Sequence, residues 1–75
     1  MDLNDFINGF AKQFDETDIS DIRSETLFQN LEEWSSLTAL SIIAFLKIEY
    51  NKTITAKEIR SCATVKDLFE LISSK

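Results

Sequence analysis

The sequence contains no histidine, no proline, one glycine and one cysteine. Without histidine the chain has no imidazole general base and no histidine ligand for zinc. The lone cysteine, Cys62, excludes an intrachain disulfide and a thiolate metal cluster, and we expect it to fill a small apolar space rather than to react. These absences argue against an enzyme that acts alone.

The length and the charge of the chain narrow its class further. Seventy-five residues suffice for one domain, which we assign to residues 1–75. The net charge of −5 argues against a nucleic-acid partner, because phosphate contacts need clustered basic residues. No apolar run approaches the roughly 20 residues of a membrane-spanning helix, and the acidic start is unlike a signal peptide. We therefore expect a monomeric, cytoplasmic domain with no membrane span.

The shortage of glycine and proline disfavours hairpin turns. The spacing of the apolar residues favours helices instead. One continuous apolar stripe marks a first helix: Leu3, Phe6, Ile7, Phe10, Ala11 and Phe14. Asp2 or Asn4 is its predicted cap. A second helix is predicted over Ser36–Tyr50, with Ser35 or Ser36 near its cap.

Two capping patterns predict the helices of the last third of the chain. Thr55 and Glu58 have the spacing of a capping box, which starts a short third helix through about Arg60. Thr64 and Asp67 repeat this spacing with a shorter acid before a last apolar stripe: Val65, Leu68, Phe69 and Ile72. The predicted fold is all-α, a small four-helix bundle of three main helices and one short helix, with no strand.

Residues 15–35 mix polar side chains with six large apolar ones: Ile19, Ile22, Leu27, Phe28, Leu31 and Trp34. A flexible linker would not carry so many large apolar residues. We therefore predict a long ordered loop between helices 1 and 2 that crosses the core, with room for a short helical turn. Loops of this length in compact domains are uncommon and usually functional.

The second helix has two apolar faces. One is expected to face the core: Ala39, Ile42, Ile43, Leu46 and Tyr50. The other lies roughly opposite: Leu37, Leu40, Ala44 and Ile48. Either the long loop covers this second face, or the face meets another protein. We favour the second interpretation, because exposed apolar patches on small proteins often mark interaction sites.

The junction of the loop and the second helix reads Trp34-Ser35-Ser36-Leu37. By itself, a serine at this place is almost always a helix cap. However, the chain resembles the acyl carrier proteins, whose signature at the start of the second helix is Asp-Ser-Leu, and Ser35-Ser36-Leu37 occupies that place. Further similarities in type and spacing extend over most of the chain: Thr26, Phe28, Leu31, Glu49-Tyr50, Ile54, Ile59, Thr64-Val65 and Asp67-Leu68.

The resemblance implies that Ser36 carries 4′-phosphopantetheine, installed from coenzyme A by a phosphopantetheinyl transferase. Ser36 rather than Ser35 is assigned, because a leucine follows the acceptor serine in the signature. The thiol of the arm would hold acyl groups as thioesters in fatty-acid or specialised biosynthesis of the polyketide or lipid type. The implied partners are acyl-loading and acyl-processing enzymes: a ligase, a synthase and a transferase. The alternatives are an aminoacyl or peptidyl carrier and a small helical interaction module that is never modified.

The chain departs from the family at two places. Ser35 replaces the usual aspartate, and the second helix has few of the carboxylates with which many carriers engage basic enzyme surfaces. We therefore predict an apolar docking face formed by Leu37, Leu40, Ala44 and Ile48, with Glu32 and Glu33 supplying charge at its edge. Trp34 and Phe45 are candidates to line a chamber for an acyl chain, although ordinary core packing is the favoured role of each.

Overall fold

The computed structural model describes residues 2–75. It contains four α-helices: α1 (Leu3–Ala11), α2 (Ser36–Tyr50), α3 (Ala56–Arg60) and α4 (Val65–Ser73). Two short 3-10 helices, Ile19–Asp21 and Phe28–Asn30, interrupt the segment between α1 and α2, and no strand occurs among the described residues. The radius of gyration is 10.9 Å, close to the roughly 11 Å of a compact folded chain of this length. The predicted all-α bundle is confirmed.

Each α-helix begins after a residue predicted as its cap: Asp2, Ser35, Thr55 and Thr64. These caps accept hydrogen bonds from backbone N–H groups that have no partner within their own helix. Both predicted capping boxes are complete, with the acid three residues after the cap bonding back to the backbone of the cap. Of the two serines considered for α2, Ser35 is the cap.

The first helix is shorter than its apolar stripe. It ends at Ala11, and the N–H groups of Gln13 and Phe14 then bond to the carbonyls three residues before them, each at 3.1 Å. Phe14 nevertheless stays buried at 6% exposure. The predicted continuation of the helix to Phe14 is wrong, because a tighter turn keeps the same side chain on the core face.

A connected set of aromatic rings forms much of the core. The ring of Phe6 in α1 lies 5.3 Å from that of Phe69 in α4, centroid to centroid. Phe10 contacts Phe28 of the long loop at 5.6 Å, and Phe28 contacts Trp34 at 5.0 Å. Such pairs add about 0.5–1.5 kcal/mol each beyond the burial of their area. The rings therefore join α1, α4, the loop and the start of α2.

The long loop is ordered against the core, as predicted, but only part of its apolar set is buried. Ile22 and Phe28 are 3% and 0% exposed, whereas Ile19 and Leu27 are 46% and 50% exposed. Ile22 directly follows the first 3-10 helix and Phe28 begins the second, so both side chains are held by tight backbone turns. Ile22 and Phe28 are therefore the fully buried anchors of the loop, and Leu31 and Trp34 pack against the same core while half-buried.

Backbone hydrogen bonds also tie the loop to the start of α4. The N–H of Val65 donates to the carbonyl of Thr26 at 3.1 Å, and the N–H of Lys66 donates to that of Ser24 at 2.8 Å. The first N–H groups of a helix have no partner within the helix. The loop supplies these partners and is fixed to α4 in return.

The core face of α2 differs from the predicted one. The buried residues of the helix are Thr38, Ile42, Phe45 and Leu46. Of the predicted core residues, Ile42 and Leu46 belong to this set, Ile43 and Tyr50 are half-buried and pack against the core, and Ala39 is half-buried. The ring of Phe45 packs against α1, with its centroid 6.1 Å from that of the Phe6 ring.

Gly9 of α1 makes room for Phe45. A Cβ atom at Gly9 would lie 2.6 and 2.7 Å from Cε1 and Cζ of the Phe45 ring, far inside van der Waals contact. An alanine at a helical glycine normally stabilises the helix by about 1 kcal/mol. Here overpacking dominates, so we expect Gly9→Ala to lower the free energy of unfolding by about 1–3 kcal/mol in urea titrations.

The double variant separates this clash from other effects of the substitution. In a Phe45→Leu background the ring is gone, so Gly9→Ala should cost less than it does in the natural chain. An equal cost in both backgrounds would show that Phe45 is not the reason for the glycine.

Candidate functional site

Ser35 and Ser36 occupy different positions at the start of α2. Ser35 is the cap: its Oγ accepts a hydrogen bond from the N–H of Thr38 at 3.3 Å and lies 3.2 Å from Thr38 Oγ1. Ser36 is the first helical residue and is exposed, and its hydroxyl takes part in none of the hydrogen bonds found within residues 2–75. Of the serine pair, Ser36 therefore presents the unengaged hydroxyl to solvent.

Thr38 locks this helix start onto the end of the loop. Its side chain is 9% exposed, and its Oγ1 donates to the backbone carbonyl of Glu33 at 3.0 Å. Because the proton of Thr38 Oγ1 is used in this bond, the Ser35 hydroxyl is the donor in its contact with Thr38 Oγ1. These hydrogen bonds fix the orientation of the start of α2. Ser36, as the first residue of the helix, lies at the positive end of the helix dipole.

An exposed hydroxyl at a helix N-terminus suits the attachment of a phosphate. Backbone N–H groups and the helix dipole stabilise a nearby anion by about 0.3–1 kcal/mol. Ser36 therefore fits the attachment point of the implied phosphopantetheine arm. Within residues 2–75, no group of three or more acidic or cysteine side chains is placed to hold a metal ion.

A groove of about 390 Å³ lies between α2 and α3 and includes Ser36 at its edge. Trp34, Leu40, Ile43 and Ile59 supply apolar wall, and Arg60 supplies a charged group. Phe45, the other aromatic considered for a chamber, is not among the lining residues and is buried in the core, as its favoured role predicted.

The second apolar face of α2 is open to solvent. Leu37, Leu40 and Ile48 are 73%, 61% and 78% exposed, and Ala44 is exposed as well. The interpretation in which the long loop covers this face is wrong. Because Leu40 also lines the groove, the exposed face and the groove share an edge.

Glu32 and Glu33 have different surroundings. Glu32 is exposed. The Glu33 carboxylate accepts hydrogen bonds from the backbone N–H groups of Asp15, Glu16 and Thr17, the last two at 3.0 and 2.9 Å, and from the Thr17 hydroxyl at 2.8 Å. Glu33 thus closes the start of the loop against its end. The sequence gives no local sign of this, because the partners lie 16 to 18 residues apart.

Gln29 is another residue that sequence reasoning missed. Its side-chain amide donates to the carbonyls of Ile59 at 3.2 Å and Cys62 at 2.7 Å, some 30 residues along the chain. The same amide also donates to the carbonyl of Arg60 at 3.3 Å, so its acceptors are the last two residues of α3 and a residue just beyond the helix. Gln29 therefore fixes the end of α3, where Arg60 lies.

Cys62 is buried at 6% exposure, and its Sγ lies 3.4 Å from the carbonyl oxygen of Glu58. Burial raises the pKa of its thiol, and the neighbouring carboxylates of Asp67 and Glu58 raise it further. A thiol with a raised pKa is a poor nucleophile at neutral pH. The predicted place of Cys62 as an apolar filler is confirmed.

Glu33 makes the stability of the fold depend on pH. Burial raises the pKa of its carboxyl, but the hydrogen bonds from Thr17, Asp15 and Glu16 outweigh this and hold the pKa below the ordinary value of 4.5. A group whose pKa is lower in the folded chain stabilises the fold above the unfolded pKa and loses this effect as pH falls through the folded pKa. We expect Glu33→Gln to be less stable than the natural chain in urea at pH 7, and the difference to shrink below pH 4.5.

The neighbouring Glu32→Gln is the matched control, because the Glu32 carboxylate accepts none of these bonds. It should leave the urea midpoint almost unchanged at either pH. A stability difference for Glu33→Gln that stays constant between pH 7 and pH 3.5 would contradict a role for the ionised carboxylate.

Among residues 2–75, every helix is too short or too polar to cross a membrane. In comparisons with known proteins, no family model matches the chain and no curated protein sequence is found to be similar.

Proposed function

We propose that this chain is an acyl carrier domain, modified with 4′-phosphopantetheine on Ser36, that carries acyl thioesters between separate enzymes of fatty-acid or specialised biosynthesis. The observation that carries the proposal is that the two adjacent serines, Ser35 and Ser36, have different roles at the start of α2. Ser35 is used as the helix cap, while the Ser36 hydroxyl is exposed and unengaged at the N-terminus of α2. The resemblance to acyl carrier proteins assigns the modification to the same serine.

In this proposal the chain positions the attachment point and leaves the chemistry to its partners. The transferase supplies the base that takes the proton of the Ser36 hydroxyl, so the absence of histidine is no obstacle. The arm supplies an accessible thiol, which the chain itself lacks because Cys62 is buried. Ser35 and Thr38 hold the helix start in place while an enzyme works on Ser36.

The open face of α2 is the proposed docking surface for the transferase and for acyl-loading and acyl-processing enzymes. Leu37, Leu40 and Ile48 are its exposed large side chains, with Ala44 between them. Buried apolar anchors usually carry affinity, whereas charges at the rim tune the association rate. Since the Glu33 carboxylate is engaged with the loop, Glu32 is the acid left to act at the edge.

Mass spectrometry tests the modification directly. After incubation with coenzyme A and a broad-specificity phosphopantetheinyl transferase, the natural chain should gain the mass of one phosphopantetheinyl group. Ser36→Ala should gain none, because the acceptor oxygen is removed. No gain by the natural chain with any transferase tried would favour the unmodified interaction module instead.

Ser35→Ala is the matched control for Ser36→Ala. It removes a helix cap and should lower the free energy of unfolding by about 0.5–2 kcal/mol, yet it should still gain the phosphopantetheinyl mass. Ser36→Ala removes no hydrogen bond found within residues 2–75 and should leave the free energy of unfolding nearly unchanged. A mass gain that depends on Ser35 instead would overturn the assignment.

Charged substitutions test the docking face. Leu40→Glu and Ile48→Glu place a carboxylate where an apolar anchor is proposed, and we expect kcat/KM for modification of Ser36 to fall about tenfold or more. Leu27→Glu is the matched control, because Leu27 is also exposed but lies in the loop outside this face. Unchanged kinetics in the two α2 variants would contradict docking, and a loss of helicity by circular dichroism would show that these residues belong to the core.

A further inference from the structure

The groove lined by Ser36 contains a basic residue and no acidic one, whereas the chain as a whole is acidic. The chain has 13 acidic and 8 basic residues, yet no carboxylate lines the groove, and Arg60 is its one charged lining residue. Carboxylates are abundant elsewhere, so their absence here leaves the Arg60 guanidinium without a competing negative group on the groove wall.

Arg60 has no carboxylate partner within the part of the chain that the structure describes. The ion pair found there joins Lys75 to Glu58 at 2.8 Å. The backbone that carries Arg60 is nevertheless fixed, since the side-chain amide of Gln29 donates to the carbonyl of Arg60 itself and to those of Ile59 and Cys62. A cationic residue on a fixed backbone thus lines the same groove as Ser36.

The remaining walls are suited to an apolar chain. Ile59 is fully buried beneath the groove, and Trp34 and Ile43 are half-buried at its sides. The volume of about 390 Å³ lies within the range of roughly 300–1,000 Å³ typical of small-molecule sites. A guanidinium beside apolar walls recognises an apolar chain that ends in an oxyanion, since its planar fork matches a carboxylate.

We propose that the groove binds an acyl chain that ends in a carboxylate, with Trp34 and Ile43 contacting its methylene groups and Arg60 binding the terminal carboxylate. This inference rests on the proposed function only in taking Ser36 as the point of attachment. It assigns to the carrier a class of cargo, the ω-carboxyacyl groups, in preference to chains that end in a methyl group.

A tethering experiment tests the groove without any transferase. Ser36→Cys is converted to a mixed disulfide with methanethiosulfonate reagents that carry either an eight-carbon chain ending in methyl or one of equal length ending in carboxylate. Peptide mass mapping verifies a single adduct at residue 36, which the burial of Cys62 favours. The tether contains no phosphate, so an effect of Arg60 is an effect on the end of the chain.

Two readouts follow: the Tm of each adduct at neutral pH, and the pKa of the isotopically labelled terminal carboxyl of the carboxylate adduct, measured by NMR over a pH titration. We expect the carboxylate chain to raise Tm about 2–5 °C more than the methyl chain. We also expect the Arg60 guanidinium to lower the pKa of the terminal carboxyl by about 0.5–1 relative to the same chain on free cysteine. Arg60→Gln should abolish both effects.

Lys57→Gln is the control, because Lys57 carries the same charge on the same helix but does not line the groove. It also removes a cation near the α3 C-terminus, so it reports any general effect on the helix dipole. Retention of both effects in Lys57→Gln supports the proposal. Equal Tm values for the two chains, or a carboxyl pKa that Arg60→Gln leaves unchanged, overturn it even where Ser36 of the natural chain is shown to be modified.

Discussion

Phe28 lies fully buried between Phe10 of α1 and Trp34 at the start of α2, and this contact decides where the long loop ends. A chain of this length buries only about 60% of the surface that its unfolded form exposes, so each buried side chain counts. The loop adds Ile22 and Phe28 to the core, and Phe28 is its most buried residue. Through Trp34 the same contact places Ser35 and Ser36, so the site depends on the packing of the core.

The second helix then serves three purposes at once. One side, centred on Ile42 and Phe45, is buried in the core, and another contributes Ile43 to the groove. The third side carries Leu37 and Ile48 into solvent. A helix with apolar residues on nearly every side is usually buried all round. In this chain one side has no cover, and it begins at Leu37, directly after Ser36, where the proposed modifying enzyme would bind.

Local patterns were enough to predict the elements of the fold, and long-range contacts account for what they missed. Caps such as Thr55 and Thr64 are visible in four consecutive residues, because the hydrogen bonds that define them join near neighbours. The burial of Phe45 depends instead on the absence of a side chain at Gly9, 36 residues earlier in the chain, and helical periodicity carries no sign of this contact. The resemblance assigned Ser36, but the bonds that distinguish it from Ser35 appear only in the structure.

Many acidic residues of the chain have a structural role. Several of its carboxylates accept backbone N–H groups: Asp2, Asp18, Glu33, Glu58 and Asp67. They satisfy groups that would otherwise lack partners in a small fold with short helices and a long loop. The net charge of −5 therefore says little about which surface meets a partner. The exposed surface around Ser36 includes the apolar face of α2 and the groove lined by Arg60, and it is this local composition that a partner or a cargo would encounter.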